Sequence, residues 1–299
     1  MSGRPSTKRV GEMIRTIGTV MLLLPAIANL GFGSPAIAAD RISWFVTHFP
    51  PGYIRVGENI GTGHMDRLLD HFQKGLTGFN HLTVDGPLTR ALASMRRSDG
   101  VCNNGVFKKP EREEYVAFSK PYVWIVSNRL IVAEDAMAKV APHVGADGVV
   151  NVEILLNDAK IRFGFGKSRS YAPVVDNTLK ALAGDPRGQA VIHSETLMKM
   201  IAGGRFDVTF AYPTEATHQL RRLGLTPKLR YFPMANVARF FPVHVGCSKK
   251  PIGKRVIAEV NKIISAAGAY PAWYRHYEKN LSPDAVKELR AFVPTAGKQ

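Results

Sequence analysis

From about residue 41 onward the chain alternates short apolar stretches with amphipathic ones, and no other feature restricts the fold as much. Residues 42–46 read as a strand closed by Pro50-Pro51-Gly52, after which Met65, Leu68, Leu69 and Phe72 fall at i, i+3, i+4 and i+7 of a helix. Residues 82–84 read as a second strand. Pro87 takes the favoured first position of a helix carrying Leu88, Ala91, Leu92 and Met95 on one face, and residues 100–103 read as a third strand. A second alternating set follows, with strands at 161–166 and 208–211, a helix at 174–182, and another bearing Leu197, Met200 and Ile201, with Ser194 as its cap. Two longer extended stretches, 127–133 and 239–247, flank that set, and residues 145–151 read as a loop within it. The remainder is helical, with Val256, Ile257, Val260, Ile263 and Ile264 on one face, Trp273, Tyr274 and Tyr277 on a second, and Ser282-Pro283 starting the last helix. Strands separated by helices favour parallel pairing, so an α/β architecture is expected. The chain leaves one unit, builds another and returns, which places a cleft between them.

The first 38 residues follow another pattern. Arg4, Lys8, Arg9 and Arg15 precede an apolar run over 17–28, and Ser34-Pro35-Ala36-Ile37-Ala38-Ala39 offers a small-residue site. Basic, then apolar, then small is the order of a secretory signal peptide, with cleavage expected near Ala38. The other reading is a membrane anchor, but a run of about a dozen residues is short of the roughly 20 that a spanning helix needs. The expectation is a periplasmic chain with no stable membrane insertion after cleavage.

Charge and cysteine usage limit the partners. The 299 residues include 40 Lys plus Arg against 24 Asp plus Glu, a net charge of +16, and without the leader about 261 residues keep +13. Such a balance suits nucleic acid, an anionic surface or an acidic ligand. Export removes nucleic acid from these. Hydrophobic residues at 45% exclude disorder, and two cysteines exclude a disulfide-dense miniprotein. The nine histidines show no metal-ligand spacing, so no metal or other cofactor is expected. There is no G-x-S-x-G elbow and no phosphate-cradling G-x-x-x-x-G-K-[ST] loop, and no catalytic residue stands out.

At 107–122 the sequence reads FKKPEREEYVAFSKPY. That segment resembles the motif of family 3 extracytoplasmic solute-binding proteins of the polar amino-acid type, in which a T-x-E-R-like turn precedes F-S-x-P-Y. Phe49-Pro50-Pro51-Gly52-Tyr53, Gly203-Gly204-Arg205-Phe206-Asp207, the glycine/serine loop at 166–171 and the return strand at 243–247 agree in order and spacing. The resemblance spans roughly 42–280 and fits a two-cysteine branch of the family. It implies a type II periplasmic-binding-protein fold of two lobes, each a mainly parallel sheet flanked by helices. Residues 39–128 and 242–299 would form lobe I, and 129–241 lobe II. It also implies a small-molecule ligand, a monomer, and an ABC permease or membrane sensor as partner.

In that family the arginine of the E-R turn binds the ligand's carboxylate, and here it falls on Arg112. A guanidinium fork matches a carboxylate's two oxygens. The competing reading is a surface arginine paired with Glu111, Glu113 or Glu114. The matching stretch before the turn is Asn104-Gly105-Val106-Phe107, with the aromatic Phe107 where a hydroxyl is expected. Tyr212 stands where an ammonium-binding aspartate is expected, and an ammonium buried without a carboxylate is costly. A carboxylate-bearing or aromatic solute, or an altered pocket, therefore fits at least as well as an α-amino acid. Ser168, Arg169 and Ser170, just before a helix, suit either an anion or simple capping. Phe49 and Tyr53 read as an aromatic wall for the ligand or as core. The family's strand order would make Cys102 and Cys247 cross-strand neighbours and so a disulfide. Two alternatives stand beside solute binding: a secreted basic module adhering to an anionic polymer or membrane surface, and a lyase on the same fold, for which no cleft carboxylate is marked.

Overall fold

The computed structural model describes residues 39–167 and 169–296; the segment expected to be a leader lies outside them. In chain order the elements begin β1 (Arg41–Val46), α1 (His64–Gly75), β2 (Asn80–Asp85), α2 (Leu88–Arg97) and β3 (Val101–Val106). The short α3 (Pro110–Glu113), β4 (Val116–Phe118) and β5 (Val123–Val126) lead to β6 (Arg129–Ala133). Next come α4 (Met137–Val140), α5 (Val152–Asn157), β7 (Phe163–Gly166), α6 (Pro173–Ala181), β8 (Gly188–Val191), α7 (Ser194–Ala202), β9 (Val208–Ala211) and α8 (Pro213–Arg222). Then β10 (Leu229–Phe232), β11 (Phe240–Ser248), α9 (Pro251–Ala266), α10 (Tyr274–Glu278) and α11 (Pro283–Ala296) complete the chain.

The strands form two sheets, one per lobe. Lobe I has the order β2-β1-β3-β11-β4, with β5 also paired to β11. Lobe II has the order β10-β6-β9-β7-β8. Each sheet is parallel where helices connect its strands, in β2-β1-β3 and β9-β7-β8. Each turns antiparallel where the strands near the crossings join, β11 on β3, β4 and β5, and β6 on β9 and β10. The sheets are therefore mixed, because strands entering from the other lobe run back along the sheet.

Burial follows the helical and strand periods. Leu68, Leu69 and Phe72 of α1, and Val256 and Val260 of α9, pack with Trp44 of β1 in the lobe I core. Lobe II has its own core, around Leu130, Ile131, Phe163, Val208 and Phe210. Asp99 accepts from the Ile252 and Gly253 amides at 2.9 and 3.0 Å and so fixes the start of α9 beside β3. Cys102 and Cys247 face each other on β3 and β11 and form a disulfide.

Two segments cross between the lobes, β5 to β6 and β10 to β11. They are tied to each other, since the Ser127 amide donates to the Arg239 carbonyl at 3.1 Å. Glu288 of α11 pairs with both Arg129 (3.5 Å) and Arg239 (3.2 Å), one from each crossing. Among the described residues no helix is long and apolar enough to cross a membrane.

Candidate functional site

A cavity of about 330 Å³ lies between the lobes. Lobe I supplies Phe49 and Tyr53 from the loop after β1, Leu88 from α2, Phe107 after β3, Val243 from β11 and Tyr277 from α10. Lobe II closes it with Tyr212 and Thr214 at the start of α8. The loop carrying Phe49 and Tyr53 is fixed from α1, because the Asp66 carboxylate accepts from the Ile54 amide (2.8 Å) and the Gly63 amide (3.2 Å). Phe49 then meets Tyr212 edge to face across the lobes, with ring centroids 6.4 Å apart.

Among the described residues, none of those lining the cavity is Lys, Arg, Asp or Glu. Most of its polar groups are already engaged within the protein. The Tyr53 hydroxyl donates to Asn104 Oδ1 at 2.7 Å, and Thr47 Oγ1 donates to the Gly86 carbonyl at 2.7 Å. The Asn103 amide donates to the Phe45 carbonyl and accepts from the Gly105 amide. The Tyr277 oxygen accepts from the Val126 amide at 2.8 Å, which leaves its own proton to donate. Burial holds the Tyr53, Tyr212 and Tyr277 phenols above their ordinary range, so they remain uncharged. What faces a ligand is an electrically neutral wall in which Phe49, Tyr53, Phe107, Tyr212 and Tyr277 supply aromatic rings.

The sequence-derived residues divide between the cavity wall and its support. Phe49, Tyr53, Gly105, Phe107 and Tyr212 line it. A Cβ at 105 would lie 2.9 Å from the Tyr53 hydroxyl, so a larger residue there would displace that ring. Asn104 is fully buried behind the wall, where it holds Tyr53 and donates to the Met65 carbonyl at 3.0 Å. Arg112 does not line the cavity, and its Nη1 donates to the Phe107 carbonyl at 2.8 Å. Nor does it pair with a neighbouring glutamate; Lys108 pairs with Glu113 instead. The Ser170 hydroxyl donates to Asp176 rather than capping α6, whose cap position is Ala172. Ser168 lies outside the described residues.

Arg169 is committed elsewhere. Both of its Nη atoms reach the Glu215 carboxylate, at 2.7 and 2.5 Å, and its guanidinium lies 5.3–5.9 Å from the ring centres of Phe49, Tyr171 and Tyr212. Burial alone would lower its pKa, but the Glu215 pairing outweighs that and raises it. Arg169 and Glu215 thus form a neutral clasp beside Tyr212. Tyr277, His64 and Thr214 are cavity residues that sequence reasoning did not single out as such. Tyr277 was legible only as part of a helical apolar face, and α8 has too few apolar residues to reveal Thr214.

His64 lines the cavity, is 8% exposed and packs against Tyr277 at 5.1 Å. Burial depresses its pKa to about 3, with the Pro51 carbonyl partly opposing and His276 and His218 adding to the effect. An unfolded chain binds this proton near pH 6.5, whereas the folded one resists it, so stability falls as pH drops through that window. The loss attributable to His64 reaches about 2 kcal/mol by pH 5. Burial also lowers His218, His244 and His276, which adds in the same direction. Urea midpoints at pH 7.5 and pH 5 should differ for the native chain, and His64→Leu should narrow that difference. An unchanged difference would place the acid sensitivity elsewhere.

No protein-family model matches the chain, and no curated protein sequence matches it. Solved structures do match. An ancestral cationic amino-acid solute-binding protein superposes with a TM-score of 0.56 at 15% identity, over 81% of this chain and 96% of that one. A probable amino-acid ABC transporter extracellular-binding protein from Bacillus subtilis gives 0.53 at 16% identity, covering 81% and 99%. A histidine kinase sensor domain with similarity to periplasmic binding proteins gives 0.51 at 11%, covering 84% and 96%. The fold is that of the two-lobed periplasmic binding proteins. In such a binding-protein fold the cleft between the lobes is where a ligand can meet both, and the cavity behind Phe49 and Tyr212 occupies that position.

Proposed function

We propose that the chain is a periplasmic solute-binding protein of the family 3 type, in a two-cysteine branch, that closes its lobes on a small uncharged aromatic solute. Delivery would be to an ABC permease or a membrane sensor, with the leader removed near Ala38 and the protein acting as a monomer. Residues 39–128 and 242–299 would move as one lobe and 129–241 as the other. The observation that carries the reading is the cavity wall, which draws on both lobes and has no formally charged side chain. A carboxylate or ammonium entering it would lose its water without gaining an oppositely charged partner, at a cost of several kcal/mol. Of the two solute classes expected from the sequence, the aromatic one is therefore favoured over the carboxylate-bearing one.

Indole, indole-3-acetate and tryptamine form a test set of one ring system in neutral, anionic and cationic states. Calorimetric titration should give binding for indole and at least about tenfold weaker binding for both charged relatives. Tyr212→Ala should weaken indole binding by about tenfold through loss of an aromatic wall. Arg112→Ala should leave it unchanged. If indole-3-acetate binds best and Arg112→Ala abolishes that binding, the carboxylate reading replaces this one.

A further inference from the structure

On another side of the lobe boundary, cations far apart in sequence converge on one open groove of about 1080 Å³. Arg67 and Lys74 stand on α1, Arg221 on α8, Arg275 on α10 and Lys279 just beyond it. Asp70 is the one carboxylate among the lining residues, and it is taken up by Lys74 at 2.7 Å. Among the described residues no carboxylate pairs with Arg67, Arg221, Arg275 or Lys279. Four imidazoles also border the groove, and among the described lining residues Asp70 is its one acidic group. The cations come from both lobes: Arg221 belongs to lobe II, and its Nη2 donates to the Lys279 carbonyl of lobe I at 3.4 Å.

We propose that this groove is a second ligand site, taking a small polyanion that carries two or more phosphate groups and bridges the lobes. Three of the four unpaired cations are arginines, whose planar forks match phosphate oxygens in pairs. Like charges gathered from two lobes repel each other, and a polyanion seated between them converts that repulsion into attraction. The surface is concave, which favours a discrete anion over a flat bilayer. The site shares Pro51 and His64 with the aromatic cavity wall but none of its proposed aromatic ligand contacts, so it stands whether or not that cavity binds a solute.

Titration of the leader-free chain with inorganic tripolyphosphate tests this. Binding should be one to one and should weaken as ionic strength rises from about 10 to 150 mM, where the screening length shrinks from about 30 to 8 Å. Arg67→Gln with Arg275→Gln should weaken it about tenfold or more. Lys228→Gln with Arg230→Gln removes the same charge from exposed positions just before and on β10 and should leave binding within about twofold of native. Tyr212→Ala should also leave it unchanged. Absence of tripolyphosphate binding overturns the proposal. So does an equal loss in both charge-removing pairs, which would make the effect one of net charge. Sedimentation with phosphatidylglycerol vesicles without tripolyphosphate binding would instead assign the groove to a membrane surface.

Discussion

Replacing Cys102 and Cys247 together with alanine should lower stability by about 4–5 kcal/mol, because the bridge closes a very long loop in the unfolded chain. The two cysteines are 145 positions apart, and both are fully buried in lobe I. In a chain of this size that corresponds to a fall in Tm of roughly 10–15 °C. Scanning calorimetry of the native protein with and without reductant, beside the double variant, measures it. The reduced native chain and the variant should melt together, well below the oxidised chain. Equal melting temperatures in all three would mean that the bridge constrains little.

The second large effect is expected at the Arg169–Glu215 clasp. Glu215 is 4% exposed, and Glu215→Leu would leave the guanidinium of Arg169 enclosed by Phe49, Tyr171 and Tyr212 without its counter-charge. Removing one member of a buried pair costs about 3–5 kcal/mol. Arg169→Met combined with Glu215→Leu should recover most of that loss, since both charges then go together. Chemical denaturation of the two single variants and the double variant gives the coupling directly. Additive losses would mean that the two side chains act independently. The same variants bear on the cavity, because Tyr212 lines it and its ring centre lies 5.6 Å from the Arg169 guanidinium.

The two-lobed α/β architecture was legible wherever burial produces a period. The run at 42–46 emerges as β1 because it is buried on both faces, Ile42, Trp44 and Val46 on one and Phe45 on the other, and the Met65–Leu68–Leu69–Phe72 stripe emerges as α1 because it buries one apolar face. Helix α8 escaped notice for the opposite reason. Its buried side includes Thr214, Glu215 and Gln219, which a hydrophobic pattern does not register. Ser194 illustrates the limit of local capping rules: the helix begins at Ser194 itself, with His193 in the cap position. In the site, Tyr212 was visible as a departure from the expected aspartate, and it does line the cavity. Arg169 looked available for an anion because its partner lies 46 residues further on, a pairing that only the folded chain brings about. Tyr277 shows a related ambiguity, since a ring facing a cavity and a ring packed in a core give the same helical spacing.

The tie between the two crossing segments has a mechanical consequence. Two independent tethers would let the lobes both swing and twist. Here Ser127 is bonded to Arg239, and Glu288 holds Arg129 and Arg239 from the same helix. Two straps pinned side by side bend readily about the line that joins them and resist rotation about their own length. Lobe closure of the proposed kind would then be a single swing, like that of a book on its spine, carrying Tyr212 toward or away from Phe49.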